Sequence, residues 1–157
     1  MDDMKLDGFK ELAEALKELG PRVARIALRY AVSNGAAVVR DEARRLAPES
    51  APGSKSKKQS PPGTLRRSIA IKRDRENRDV FNAKYSVFVK SSAKDGVKAY
   101  GSVDGFYGYF LEFGTSKMAA RPFLRPAFDH TITKATDEIA KALDYAIQYE
   151  ATELSKK

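Results

Sequence analysis

The sequence predicts an α+β domain in which long N- and C-terminal helices pack on a small antiparallel β-sheet of three or four strands, with a mobile basic loop. Three observations predict it. Apolar residues recur at helical spacing near both ends, over residues 21–46 and from Phe128 to Ile147. Short strand-like runs lie between them, one of them set off by Asp95-Gly96 and Asp104-Gly105. Residues 48–63 hold four prolines, two glycines, four serines and three lysines, a composition that cannot bury a face.

Taken in order, residues 7–19 read as a short amphipathic helix. Asp7 stands at its cap, and Phe9, Leu12, Leu16 and Leu19 form its apolar side. Gly20-Pro21 ends it and opens a helix over 21–46, about 39 Å long if continuous. Val23, Ile26, Ala27, Tyr30, Ala37, Val38 and Leu46 make its stripe, and Ser33-Asn34-Gly35 is a weak point where it could kink or break. Pro48 stops it, and the loop 48–63 follows. Strands are predicted at Ser68–Arg73, at Tyr85–Lys90 and, more weakly, at Val97–Val103. Residues 106–115 are rich in aromatics: Phe106, Tyr107, Tyr109, Phe110 and Phe113. The last helix carries Phe128, Ile132, Ala135, Ile139, Leu143 and Ile147 on one side and frays over 154–157. The 157 residues read as one domain.

Composition excludes several chemistries. There is no cysteine, so disulfides, thiolate metal sites and cysteine nucleophiles are absent. One histidine, His130, excludes a multi-histidine metal site. No apolar run approaches the roughly 20 residues of a membrane-spanning helix, and the Asp2-Asp3 start is unlike a signal peptide. These features lead us to expect a protein assembled in the cytoplasm, without membrane contact. The formal net charge is +8, and residues 53–75 contribute most of it, with eight basic groups and one acid. Lys55, Lys57, Lys58, Arg66 and Arg67 are its candidate electrostatic contacts, to phosphate or to an acidic protein. The segment has no aromatic residue for base stacking. Nucleic-acid binding through 53–75 is therefore the alternative reading.

No convergent catalytic group emerges. His130 adjoins Asp129, and adjacent helical residues do not face each other. Glu112 lies between Leu111 and Phe113. A catalytic role, with Asp104 as second acid, competes there with pairing to Arg121 or Arg125 or with bonding to backbone amides at the following turn. No glycine spacing matches a dinucleotide or phosphate loop. The expectation is no enzyme activity and no cofactor or metal. The aromatic, arginine and proline residues of 106–126 read as part core and part interface anchors.

Three segments then fall in one order. Ala47-Pro48 ends the long helix, and Gly63-Thr64-Leu65-Arg66-Arg67-Ser68-Ile69 follows the loop. A stretch from Tyr109-Phe110-Leu111-Glu112-Phe113-Gly114-Thr115 through Arg121-Pro122-Phe123-Leu124-Arg125-Pro126-Ala127-Phe128 leads into the last helix. Together they resemble the tail-completion or head–tail neck protein family of long-tailed bacteriophages and prophages, the minor tail protein Z type. Glu112–Ala127 is the specific part, and the likeness in element order covers roughly residues 8–150. The Lys/Pro/Ser-rich insertion between Pro48 and Thr64 departs from the pattern.

The resemblance implies a virion structural protein at the head–tail junction, without cofactor. It would complete the head-proximal end of the tail as a ring of itself, about six copies closing head to tail. Its expected partners are head-connector and tail-terminator or tail-tube proteins, with non-specific contact to packaged DNA through the basic loop. The expected subunit interface comprises Tyr109, Phe110, Glu112, Phe113, Gly114, Thr115, Arg121, Pro122, Phe123 and Arg125.

Overall fold

A computed structural model of the chain describes residues 20–49, 62–75, 81–90 and 107–155, together with Glu11, Glu14, Lys17 and Glu18. Helix α1 runs Pro21–Leu46, α2 Thr64–Ser68, α3 Gly108–Phe113 and α4 Leu124–Ser155, with strands β1 Ile69–Arg73 and β2 Tyr85–Val89 between α2 and α3. The α+β class and both long helices are as predicted. The sheet differs: among the described residues it has two strands, not three or four. The Val97–Val103 run, most of 7–19 and most of the 48–63 loop lie outside those residues. Ser68 N-terminal to β1 is helical because Thr64–Ser68 closes one turn, with the Ser68 hydroxyl donating to the Leu65 carbonyl at 2.6 Å.

The two strands are antiparallel. Lys90 N–H donates to the Ser68 carbonyl and Asp74 N–H to the Lys84 carbonyl, each at 2.9 Å. This sets Ile69 opposite Val89 and Ile71 opposite Val87.

The chain forms two compact units, each from separated segments. One comprises Met1–Gly35, Arg73–Tyr85 and Lys134–Lys157, and the other Ala36–Lys72 and Ser86–Thr133. In the first, Ala24, Ala27 and Ala31 of α1 pack with Leu143 of α4, flanked by Leu28, Ile139 and Ile147. In the second, Ala43, Ala47, Leu65, Ile69, Phe123 and Ala127 form a core covered by Val87, Val89 and Leu111.

These contacts correct the predicted stripes. The buried positions on α1 are Ala24, Ala27, Ala31, Gly35, Val39 and Ala43, a row of small side chains at helical spacing. Ile26 and Tyr30, predicted to face inward, are 51% and 50% exposed, and Phe128 on α4 is 51% exposed. Small side chains allow the helices to approach closely, so the contact face need not be the one with the largest apolar residues. The helix is not broken at Ser33-Asn34-Gly35, where α1 is continuous. Gly35 serves the packing instead: a Cβ there would lie 2.4 Å from Ile139 Cγ1 and 3.0 Å from the Ala135 carbonyl oxygen.

Candidate interface around Glu112 and Arg125

The aromatic stretch folds into a short helix. Tyr109 and Phe113, four residues apart, share one of its faces with ring centroids 4.8 Å apart. They are 64% and 56% exposed, whereas Glu112 on the same turn is buried. Phe110 meets Tyr109 edge-on at 6.1 Å.

Gly114 ends α3. Its N–H donates to the Phe110 carbonyl at 2.8 Å, and its backbone sits at φ 74°, ψ −178°, a region essentially restricted to glycine. A Cβ there would also come within 2.9 Å of the Ala120 nitrogen. Thr115 and Met118 then exchange backbone hydrogen bonds across a tight turn. The chain returns alongside α3, where Arg121 N–H donates to the Leu111 carbonyl at 2.7 Å.

That return delivers the start of α4 to Glu112. Its Oε2 accepts from the N–H of Phe123 at 2.8 Å and of Leu124 at 2.9 Å, and its Oε1 from the N–H of Arg125 at 3.2 Å. Pro126 has no N–H, and Ala127 N–H already bonds back to the Phe123 carbonyl at 3.2 Å. Every donor of the first turn is therefore accounted for. The carboxylate also faces the positive end of the helix dipole. Of the roles open to Glu112 from sequence, the structure selects bonding to backbone amides. Both oxygens are engaged in anchoring these amides; Asp104 lies outside the described residues.

The bracket holds a ridge at the surface. The Arg125 guanidinium lies 5.9 Å from the Phe113 ring centroid, within cation–π range. On one side of this pair is a groove of about 620 Å³, walled by Val87 and Phe88 of β2 and by Tyr109 and Phe110. On the other is a hollow of about 310 Å³, bordered by Ala120, Pro122, Pro126 and Asp129. Arg121, Pro122 and Thr115 are exposed beside the ridge. Phe123 is different: it is 0% exposed and belongs to the core. Its expected contact with a neighbouring subunit gives way to an internal role, because its backbone is held inward by Glu112. The β2 wall was not among the site residues expected from sequence. The run Val87-Phe88-Val89 was visible as apolar, but nothing local says it faces α3.

The basic segment is only partly described. Arg66 pairs with Glu49 at 2.8 Å, bridging the two ends of the 48–63 loop. Arg67 is exposed, with a 3.4 Å contact to the Thr64 hydroxyl. Lys55, Lys57 and Lys58 lie outside the described residues. His130 is 3.8 Å from Glu42, not paired with Asp129, and Glu42 is held mainly by Arg45 at 2.6 Å. Among the described residues no cluster of acidic or histidine side chains could hold a metal ion, and no helix is long and apolar enough to cross a membrane.

Residues 10–114 match the HK97-gp10-like family, described as "Bacteriophage HK97-gp10, putative tail-component". The chain belongs to this family of phage tail components. Membership is consistent with the tail-completion resemblance and gives the chain a structural role in a phage tail. The matched range ends at Gly114, so it takes in Glu112 but not the Arg121–Pro126 segment that Glu112 anchors. No curated protein and no solved structure matches the chain.

Proposed function

We propose that this tail component acts at the head–tail junction, completing the head-proximal end of the tail so that tails join filled heads, and that it does so as a ring of identical subunits. The observation that carries the reading is the Phe113–Arg125 ridge. It combines an exposed aromatic pair, a guanidinium within cation–π range of Phe113 and a flanking apolar groove, beside one buried carboxylate. Exposed aromatics and arginine on rigid backbone are what protein interfaces use as anchors, because little side-chain freedom is lost on docking. Tyr109, Phe110, Phe113, Arg121, Pro122 and Arg125 are the contacting residues. Glu112, Gly114 and Phe123 build the support, and Thr115 begins the turn that returns the chain to it.

Phage carrying a disruption of this gene are expected to yield filled heads beside separate or malformed tails in electron micrographs of lysates. Complementation with Phe113→Ala/Arg125→Ala should reproduce that phenotype while the variant remains folded. Intact infectious particles from the disrupted phage would exclude the junction role.

The basic segment is read as an electrostatic contact with packaged DNA or with an acidic face of a neighbouring ring. The alternative, that nucleic-acid binding is itself the function, predicts tight duplex binding with a steep salt dependence. A DNA titration at two salt concentrations separates them, because the structural role predicts only weak binding near physiological salt.

A further inference from the structure

The unit containing the first half of α1 and the second half of α4 carries two exposed ridges, apart in sequence from the Phe113–Arg125 ridge, which belongs to the other compact unit. Arg22, Ile26 and Tyr30 follow one another at four-residue spacing on α1 and so share a ridge. Ile26 and Tyr30 are half exposed, and Arg25 and Arg29 border them. Residues 21–35 contain three arginines and no acid. Among the described residues none of the three lies in an ion pair, and the buried Nε of Arg25 has no hydrogen-bond partner.

The second ridge lies on α4. Tyr145 and Tyr149 are 61% and 55% exposed and stack at 6.4 Å. Asp137 lies two turns before Tyr145 on the same ridge, and Asp144 adjoins it. Lys141 between them is tied to Glu138 at 3.2 Å. Residues 134–155 contain five acids and two lysines.

Within one copy the two ridges do not meet. The helices pack through Ala24, Ala27 and Ala31 against Leu143, which leaves Ile26 and Tyr30, and Tyr145 and Tyr149, at the surface. Each ridge thus presents an apolar pair at the same helical spacing, one beside arginines and the other beside aspartates. A two-fold contact of the α1 ridge with itself would set arginine against arginine, which is costly. The complementary contact sets the α1 ridge of one copy on the α4 ridge of another; made head to tail it is heterologous, and a heterologous contact generates a ring where its rotation closes.

We propose that the Arg22–Ile26–Tyr30 ridge of one copy docks on the Tyr145–Tyr149 ridge of a second copy, with Arg22 and Arg29 meeting Asp137 and Asp144. The proposal deepens the ring reading and rests on it. The chain's lack of cysteine makes the test clean. A Tyr30→Cys/Tyr149→Cys variant, oxidised mildly both as purified protein and in isolated tails, is expected to give a ladder of covalent multimers on non-reducing gels. Tyr30→Cys alone and Tyr149→Cys alone should give none. Reversing the charges with Arg22→Glu/Arg29→Glu, or with Asp137→Arg/Asp144→Arg, should weaken self-association about tenfold or more. Combining the two sets in one chain should restore it, with circular dichroism showing unchanged helix content throughout.

Dimers from Tyr30→Cys alone would overturn the heterologous contact. Multimers in the parent protein that survive all reversals, with no ladder, would overturn this contact while the ring stands. A parent protein that is monomeric in solution and present as single copies in tails would overturn both. If Arg22→Glu/Arg29→Glu changes only the affinity for a short DNA duplex, the arginine face is a phosphate contact and the proposal fails.

Discussion

Glu112 shows how one side chain can decide where a helix begins. Its carboxylate replaces the three hydrogen bonds that the first-turn amides of α4 would otherwise seek from water, in a position where water has little access. Removing one partner of a buried hydrogen bond to a charged group typically costs more than a neutral bond contributes. Glu112→Ala is therefore expected to destabilise the protein by about 2–3 kcal/mol. Glu112→Gln, which keeps the shape but supplies one acceptor oxygen, should lie between that and the parent. Urea unfolding followed by circular dichroism measures both, and an unchanged midpoint for Glu112→Ala would contradict the anchoring role. Gly114→Ala tests the same bracket from the backbone. The φ is positive, and the added Cβ would meet the Ala120 backbone, so a loss of about 1–3 kcal/mol is expected in the same assay.

Within an element, Gly35 reverses an ordinary rule. Alanine normally stabilises a helix interior over glycine by up to about 1 kcal/mol. Here the new methyl group would overlap Ile139, a branched side chain on the packed helix, and press on the Ala135 carbonyl. Gly35→Ala is expected to lower stability by about 1–3 kcal/mol, the usual cost of overpacking. Ile139→Ala in the same chain should relieve the overlap, so the double variant should be less destabilised than the sum of the two single variants. Additive effects in thermal melts would mean that the added methyl group does not press on Ile139. The small-residue row that includes Gly35 also explains why Ile26 and Tyr30 face outward. Helix position relative to a neighbour follows the depth of the groove offered, and the smallest residues offer the deepest.

Over the whole molecule, composition and charge set the conditions under which the fold is stable. Asp41 lies below the usual carboxylate range because Arg40 donates hydrogen bonds to it, and Glu42 does so because Arg45 does the same. A carboxylate whose folded pKa is depressed contributes stability above its unfolded pKa, about 4, and loses it as the pH falls through the lower folded value. The melting temperature is therefore expected to hold nearly level from neutral pH to about 5 and to fall below about 4. The Asp41→Asn/Glu42→Gln variant should show a shallower acid limb; identical limbs would mean these pairs contribute nothing. The effect should be small, because both groups are near the surface and screened.

The same scale shows what could be read early. The bounds of α1 and the apolar face of α4 beyond Ala135 were legible, because helical periodicity is written into neighbouring residues and Pro21 and Pro48 punctuate it. The exclusion of thiol chemistry and the motif surrounding Glu112 were legible too. The short helices α2 and α3 were not, since one or two turns carry too little periodicity to stand out.

By itself the sequence determined the α+β class, the two long helices, the family-bearing motif and the location of the positive charge, all properties of residue type or short-range spacing. Only the tertiary structure decided which face of α1 is buried, that Phe123 is core, and that Glu112 holds three amides 11–13 residues further on. Those outcomes depend on where the chain returns after Gly114 and on how closely helices can approach, and no local pattern of apolar and polar residues encodes either.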